Sequence, residues 1–123
     1  LWVSDGTANG TSMVKDISSG STDSDPEYLY VWNNKTYFSA TDGSAGKELC
    51  VSDGTSSGTS LLKEIRTGSS GSEPKFFIAF QNKLYFQAND GTHGEELWVS
   101  DGTPGNTSMV VDYYTGGGGS KPS

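Results

Sequence analysis

Carboxylates that return at a fixed interval are the residues of this chain best placed to do chemistry. Asp5, Asp53 and Asp101 each open an Asp-Gly-Thr turn, and Asp42 and Asp90 each precede a glycine ahead of an apolar strand. A carboxylate in a tight turn, with carbonyls and hydroxyls near it, offers hard oxygens to Ca²⁺, which takes about six to eight of them. One carboxylate helped by Thr7, Thr55 or Thr103 falls short of that number, and no copy has the dense acidic loop of an EF-hand. An aspartate that caps its own turn while the next glycine takes a positive φ accounts for every Asp-Gly pair without an ion. These five aspartates are expected to serve turn geometry first and Ca²⁺ second, and no other cofactor is expected.

Catalysis finds little material. His93 is the only histidine, and Ala45 stands at its place 48 residues earlier, so no repeated base is available to activate a nucleophile. Aromatic side chains offer a different chemistry, stacking on sugar rings, and Trp2, Trp32 and Trp98 with Tyr28, Tyr30, Tyr37, Tyr85, Tyr113 and Tyr114 are the candidates. Most are expected in the core, because Trp2 and Trp98 share one position of an apolar strand with Cys50 between them. Cys50 is accordingly expected to be a buried thiol. Trp32, beside a turn and replaced by Phe80 in the next copy, is the one whose place leaves room for exposure. Asn9, Asn34 and Asn106 head N-glycosylation sequons, with Asn34 in a cramped turn. Asp23 and Asp25 form an acidic spot that the next copy does not keep, having Gly71 and Glu73.

The elements that position these residues repeat. Leu1 to Thr7, Leu49 to Thr55 and Leu97 to Thr103 are copies 48 residues apart, differing only where Cys50 replaces Trp. Asn34-Lys35 and Asn82-Lys83, then Tyr37-Phe38 and Tyr85-Phe86, keep the same phase. Each unit reads as four short strands. An aromatic, β-branched strand such as Tyr28 to Trp32 meets a two-residue turn, Asn33-Asn34 or Gln81-Asn82, and then Lys35 to Ala40 or Lys83 to Ala88. The Leu-Trp-Val strand follows, then the Ser-Asp-Gly-Thr turn with Gly6, Gly54 or Gly102, then a fourth strand such as Met13 to Ile17 or Leu61 to Ile65. No window carries a helical period. The units divide as 1–27, the second half of a repeat with its connecting loop; 28–75, a complete repeat; and 76–123, a complete repeat ending in the loop to the next. Gly116 to Ser120 aligns with Gly68 to Ser72 and is read as repeat and not as linker.

The chain has 123 residues, 15 Asp and Glu against 8 Lys and Arg, and a formal charge of −7. With no basic cluster, that surface repels phosphate backbones and anionic lipid heads, so nucleic acid is not an expected partner. The longest apolar run, Phe76 to Phe80, is far below the roughly 20 residues of a membrane helix, and membrane insertion is not expected. Three Trp, six Tyr and five Phe at fixed intervals argue for a folded, turn-rich β protein. Four antiparallel strands per 48 residues with one aromatic set is the signature of an all-β, propeller-like array of blades, here about two and a half units. An open, filamentous stack of the same units is the second architecture.

Glu48 to Thr55 and Glu96 to Thr103 carry the resemblance that orders these observations. The chain resembles the ELWxxDGT repeat family of bacterial proteins, matching in full at Glu96 to Thr103 and departing at Cys50. The first copy starts at Leu1, and the third has Asn106-Thr107 where the middle copy has Gly58-Thr59. The resemblance implies a propeller-forming array in large secreted or surface-associated proteins. The expected function is a non-enzymatic, extracellular or cell-surface β-repeat module that builds a surface or fibre and mediates adhesion. Its expected partners are copies of itself or neighbouring repeats of a longer chain. A lectin-like, multivalent glycan-binding propeller is the alternative.

Overall fold

The computed structural model describes residues 1–113, Thr115, Gly119 and Pro122. They form antiparallel sheets and one short 3₁₀ turn, Pro104–Asn106. Strands β1 (Trp2–Val3) and β2 (Ser12–Met13) pair as a two-stranded sheet. The second sheet runs β3 (Glu27–Trp32), β4 (Lys35–Ala40), β5 (Glu48–Ser52) and β6 (Ser60–Lys63) in chain order. The third repeats that order with β7 (Lys75–Phe80), β8 (Lys83–Asn89), β9 (Glu95–Ser100) and β10 (Ser108–Val111). The fourth strand of the second sheet stops at Lys63, short of the expected Ile65, whose amide is taken by the carboxylate of Glu48, and that of the third stops at Val111. The division at 28 and 76 falls one residue inside β3 and β7.

Local chemistry explains these elements. Asn33-Asn34 and Gln81-Asn82 both sit at positive φ, at 49° and 60° and at 47° and 57°. Two consecutive left-handed residues make the turn whose twist matches that of the flanking strands, and asparagine tolerates it best among residues with a side chain. A bulge recurs near the start of the first strand, between Glu27 and Tyr30 and between Lys75 and Ile78, with Tyr28 and Phe76 at φ of 56° and 58°. Both rings lie on the surface against each other, with centroids 6.3 Å apart.

Stacking of the sheets buries the apolar faces that lie between them. Trp2 pairs with Met13, Cys50 with Phe38 and Leu61, and Trp98 with Phe86 and Met109, so these side chains share one face of each sheet, called the back here. Tyr30, Trp32, Tyr37 and Val51 share the opposite face, the front. The front of the first sheet, through Leu1 and Ile17, covers Phe38, Ala40 and Cys50 on the back of the second. The front of the second, through Leu49, Leu62 and Ile65, covers Phe86, Ala88 and Trp98 on the back of the third. Trp32 and Tyr37 join the same contact against Leu84. Alternation along β4 therefore does not sort residues into inside and outside, since Tyr37, Phe38, Ser39 and Ala40 are all buried.

Candidate functional site

The recurring turns are closed by side chains. In the Ser-Asp-Gly-Thr loop, one carboxylate oxygen of Asp5, Asp53 or Asp101 accepts from the amide of Thr7, Thr55 or Thr103 at 2.9 Å. The same oxygen accepts from the hydroxyl of that threonine at 2.6 to 2.7 Å. Gly6, Gly54 and Gly102 take φ of 91°, 91° and 95°, and each donates its amide to the preceding serine at 3.0 Å. That serine meets the threonine seven residues on, Thr11, Thr59 or Thr107, at 2.6 to 2.7 Å. Gly10 and Gly58 lie so close to the aspartate that a Cβ there would sit about 2 Å from its carboxylate. At the third copy Asn106 takes that place after Pro104, and its Nδ2 donates to the second oxygen of Asp101 at 2.6 Å.

The other aspartates close smaller turns. The Asp42 Oδ1 accepts from the amides of Ser44 and Ala45 and from the Ser44 hydroxyl, at 2.9, 2.9 and 2.8 Å. The Asp90 Oδ1 accepts from the amides of Thr92 and His93, both at 2.9 Å, while its Oδ2 meets the His93 ring at 2.7 Å. Hydrogen bonds from the side chain and backbone of Thr7, Thr55 and Thr103 hold Asp5, Asp53 and Asp101 below the ordinary carboxylate range, helped at Asp101 by Asn106. The turn amides of Ala45 and Ser44 do the same for Asp42. Asp90 is also lowered, burial opposing and the bonds and charge of His93 prevailing. In return, Asp90 raises His93. One oxygen of each of these carboxylates is thus engaged by its own loop, and among the described residues no three acidic, cysteine or histidine side chains converge as a metal would need.

A carboxylate that the sequence reading passed over is fully buried. Glu48, at the head of the Leu-Cys-Val strand, accepts from the amides of Ile65 and Arg66 at 2.8 and 3.2 Å and from the Ser72 hydroxyl at 2.5 Å. It staples the end of β6 and the outgoing connection to the start of β5. Burial raises its pKa, against those hydrogen bonds. Glu96, at the same position of the third sheet, is buried as well. The available signal was their recurrence in phase, with Ser24 and Ser72 in phase too.

Several expected positions fall elsewhere. Trp2, expected in the core, is 67% exposed because it lies on the back of the two-stranded sheet, where the described chain packs no further sheet; Cys50 and Trp98, at the same position, are 1% and 7% exposed. Trp32, whose place beside a turn left room for exposure, is 9% exposed, held by Tyr37 and the third sheet, whereas Phe80 at its place in the next copy is 60% exposed. Two of the three tryptophans are therefore closed to a sugar ring. Cys50 is a buried free thiol whose Sγ lies 3.8 Å from the carbonyl of Ala40, and burial first, then the charges of Asp42 and Glu48, push it up to about 12. Asn9, Asn34 and Asn106 are exposed, but the Asn106 amide is committed to Asp101. Asp23 is exposed, and Asp25 pairs with Lys47 at 2.7 Å. Tyr114, Gly116 to Gly118, Ser120 and Lys121 lie outside the described residues.

Polar contacts also tie the sheets, two of them through a lysine that recurs in phase. The Lys15 ammonium donates to the carbonyl of Thr59 in the next loop at 2.8 Å, and Lys63, its counterpart, to that of Pro104 at 3.1 Å. Tyr30 accepts from the amide of Ala79 at 3.1 Å. No family model, curated protein or solved structure matches the chain.

Proposed function

We propose that this chain is a non-enzymatic, extracellular β-repeat module, each four-stranded sheet being one blade of a propeller-like array of the ELWxxDGT type. The observation that carries the reading is the stacking of fronts on backs. The first sheet meets the second, and the second the third, through the same positions 48 residues apart. Such stacking is the mechanics of a repeat protein, in which each unit buries its apolar faces only against its neighbours. Function then follows from repetition. Loops closed by their own side chains give an identical rim from unit to unit, and a surface or fibre built of them presents many equal adhesive faces.

Beads carrying the chain at high density test the adhesive role. They are expected to cluster with one another and with a plate coated with the chain, and free chain in excess should disperse them. Beads that stay dispersed, while a glycan array binds the chain with a strength that follows valency, would replace this reading with the lectin-like one.

A further inference from the structure

The two outermost faces of the stack are halves of the contact that the stack uses internally. On the back of the two-stranded sheet, Trp2 and its cross-strand partner Met13 are exposed, while Cys50 with Leu61 and Trp98 with Met109 hold the same positions under a neighbouring front. On the front of the third sheet, Ile78, Phe80 and Val110 are exposed, while Tyr30, Trp32 and Leu62 at those positions of the second sheet pack on the third. Two polar ties of the internal contact are absent from this outer front. Ile78 stands where Tyr30 has its hydroxyl, and Val111 stands where Lys63 has its ammonium. Both exchanges make the outer front more apolar, although the described chain leaves it facing solvent. An apolar front and an apolar back on opposite ends of one stack are complementary by construction, because the chain already joins such faces twice.

We propose that the front of the third sheet of one copy seats on the back of the two-stranded sheet of a second copy, head to tail, with Trp2 filling the place that Trp98 fills within the chain. The partner is a second copy of this chain, and the inference rests on the array reading above. A contact of this kind is heterologous: each copy uses one face to bind and offers the other, so assembly either closes into a ring or continues as a fibre.

Sedimentation of the purified chain with two variants tests this. Wild type is expected to assemble, its mass rising with concentration toward a ring or a growing fibre. Trp2→Glu spoils only the back and Val110→Glu only the front, and both sites are exposed, so each variant should keep the wild-type circular dichroism and sediment as a monomer. The dissociation constant should rise roughly 30-fold or more, as for loss of a central apolar anchor. An equimolar mixture retains one good front and one good back and is expected to give a dimer that grows no further. Phe80→Glu in place of Val110→Glu should behave alike. A wild type that stays monomeric at every concentration would overturn the proposal. So would a Trp2→Glu variant that still self-associates, or a mixture that stays monomeric. Bead clustering and assembly in solution are separate readouts, so a module that assembles without adhering would remove the adhesive role and leave this contact standing.

Discussion

Removing the Glu48 carboxylate leaves the amides of Ile65 and Arg66 and the hydroxyl of Ser72 without their acceptor in a site closed to water. Buried donors stranded in this way are costly, so Glu48→Ala is expected to lower stability by about 2 to 4 kcal/mol in urea melts, and Glu48→Gln by less, because the amide oxygen still accepts. The pH response of the acids divides by sign. Glu48 has a folded pKa above its unfolded value, so its contribution is greatest below the ordinary glutamate range and declines as pH rises through the raised value. Asp42 is lowered, so its contribution is present above the ordinary 3.8 and disappears as pH falls through the lowered value. Thermal melts between neutral and acid pH are expected to show the loss below pH ~4, and Asp42→Asn should flatten that limb. At Cys50, a thiol pushed up to about 12 and covered by Leu1 and Ile17 is expected to react with a thiol reagent only as fast as the chain opens. Its place on an apolar face was legible from the tryptophans on either side of it in the repeat, and the cover by Leu1 and Ile17 turns that place into burial. The role of Glu48 was not, because a glutamate at a strand end reads as a solvated charge until the outgoing connection is seen folding over it.

At the scale of elements, the loops depend on backbone shape and on short side chains closing on one another. Gly43 has φ of 90°, and a Cβ there would lie 2.7 Å from the hydroxyl of Ser18 on the preceding connection. Gly43→Val is therefore expected to cost several times more than Asp42→Asn, roughly 2 to 3 kcal/mol against 1 or less, in paired denaturation curves. Gly58→Ala drives a methyl into the Asp53 carboxylate and should cost about 1 to 2 kcal/mol, with Thr55 losing its bonds. The hairpins were readable from Asn33-Asn34 and Gln81-Asn82, since few residues accept left-handed backbone twice in a row. The same reading found the Asp-Gly turns but missed the serine-to-threonine bond that shuts each longer loop, for example Ser52 to Thr59 at 2.7 Å, because two hydroxyls seven residues apart carry no signal without the loop between them. The bulge at Tyr28 and Phe76 was invisible for a related reason: an aromatic in a strand predicts extended backbone, whereas both of these stand at positive φ.

Across the whole molecule, the period of 48 residues was plain in the sequence, and the all-β class with four antiparallel strands per complete unit followed from it. Which tryptophan is buried did not follow, because position in a repeat specifies a face and only a neighbouring sheet decides whether that face is covered. Trp2 and Trp98 have the same strand context and opposite exposure for this reason. The connection between sheets has a consequence for how the stack comes apart. Ser72 sits in that connection with three bonds in two directions: its hydroxyl to Glu48 and its amide to the carbonyl of Lys47 hold the second sheet, while its carbonyl accepts from the amide of Asn89 in the third at 2.9 Å. A residue shared in this way makes the opening of one sheet a disturbance of the next. The amide protons of β5 and β8 are therefore expected to exchange with deuterium through a common opening, with similar protection and a similar response to denaturant, whereas those of the two-stranded sheet exchange sooner.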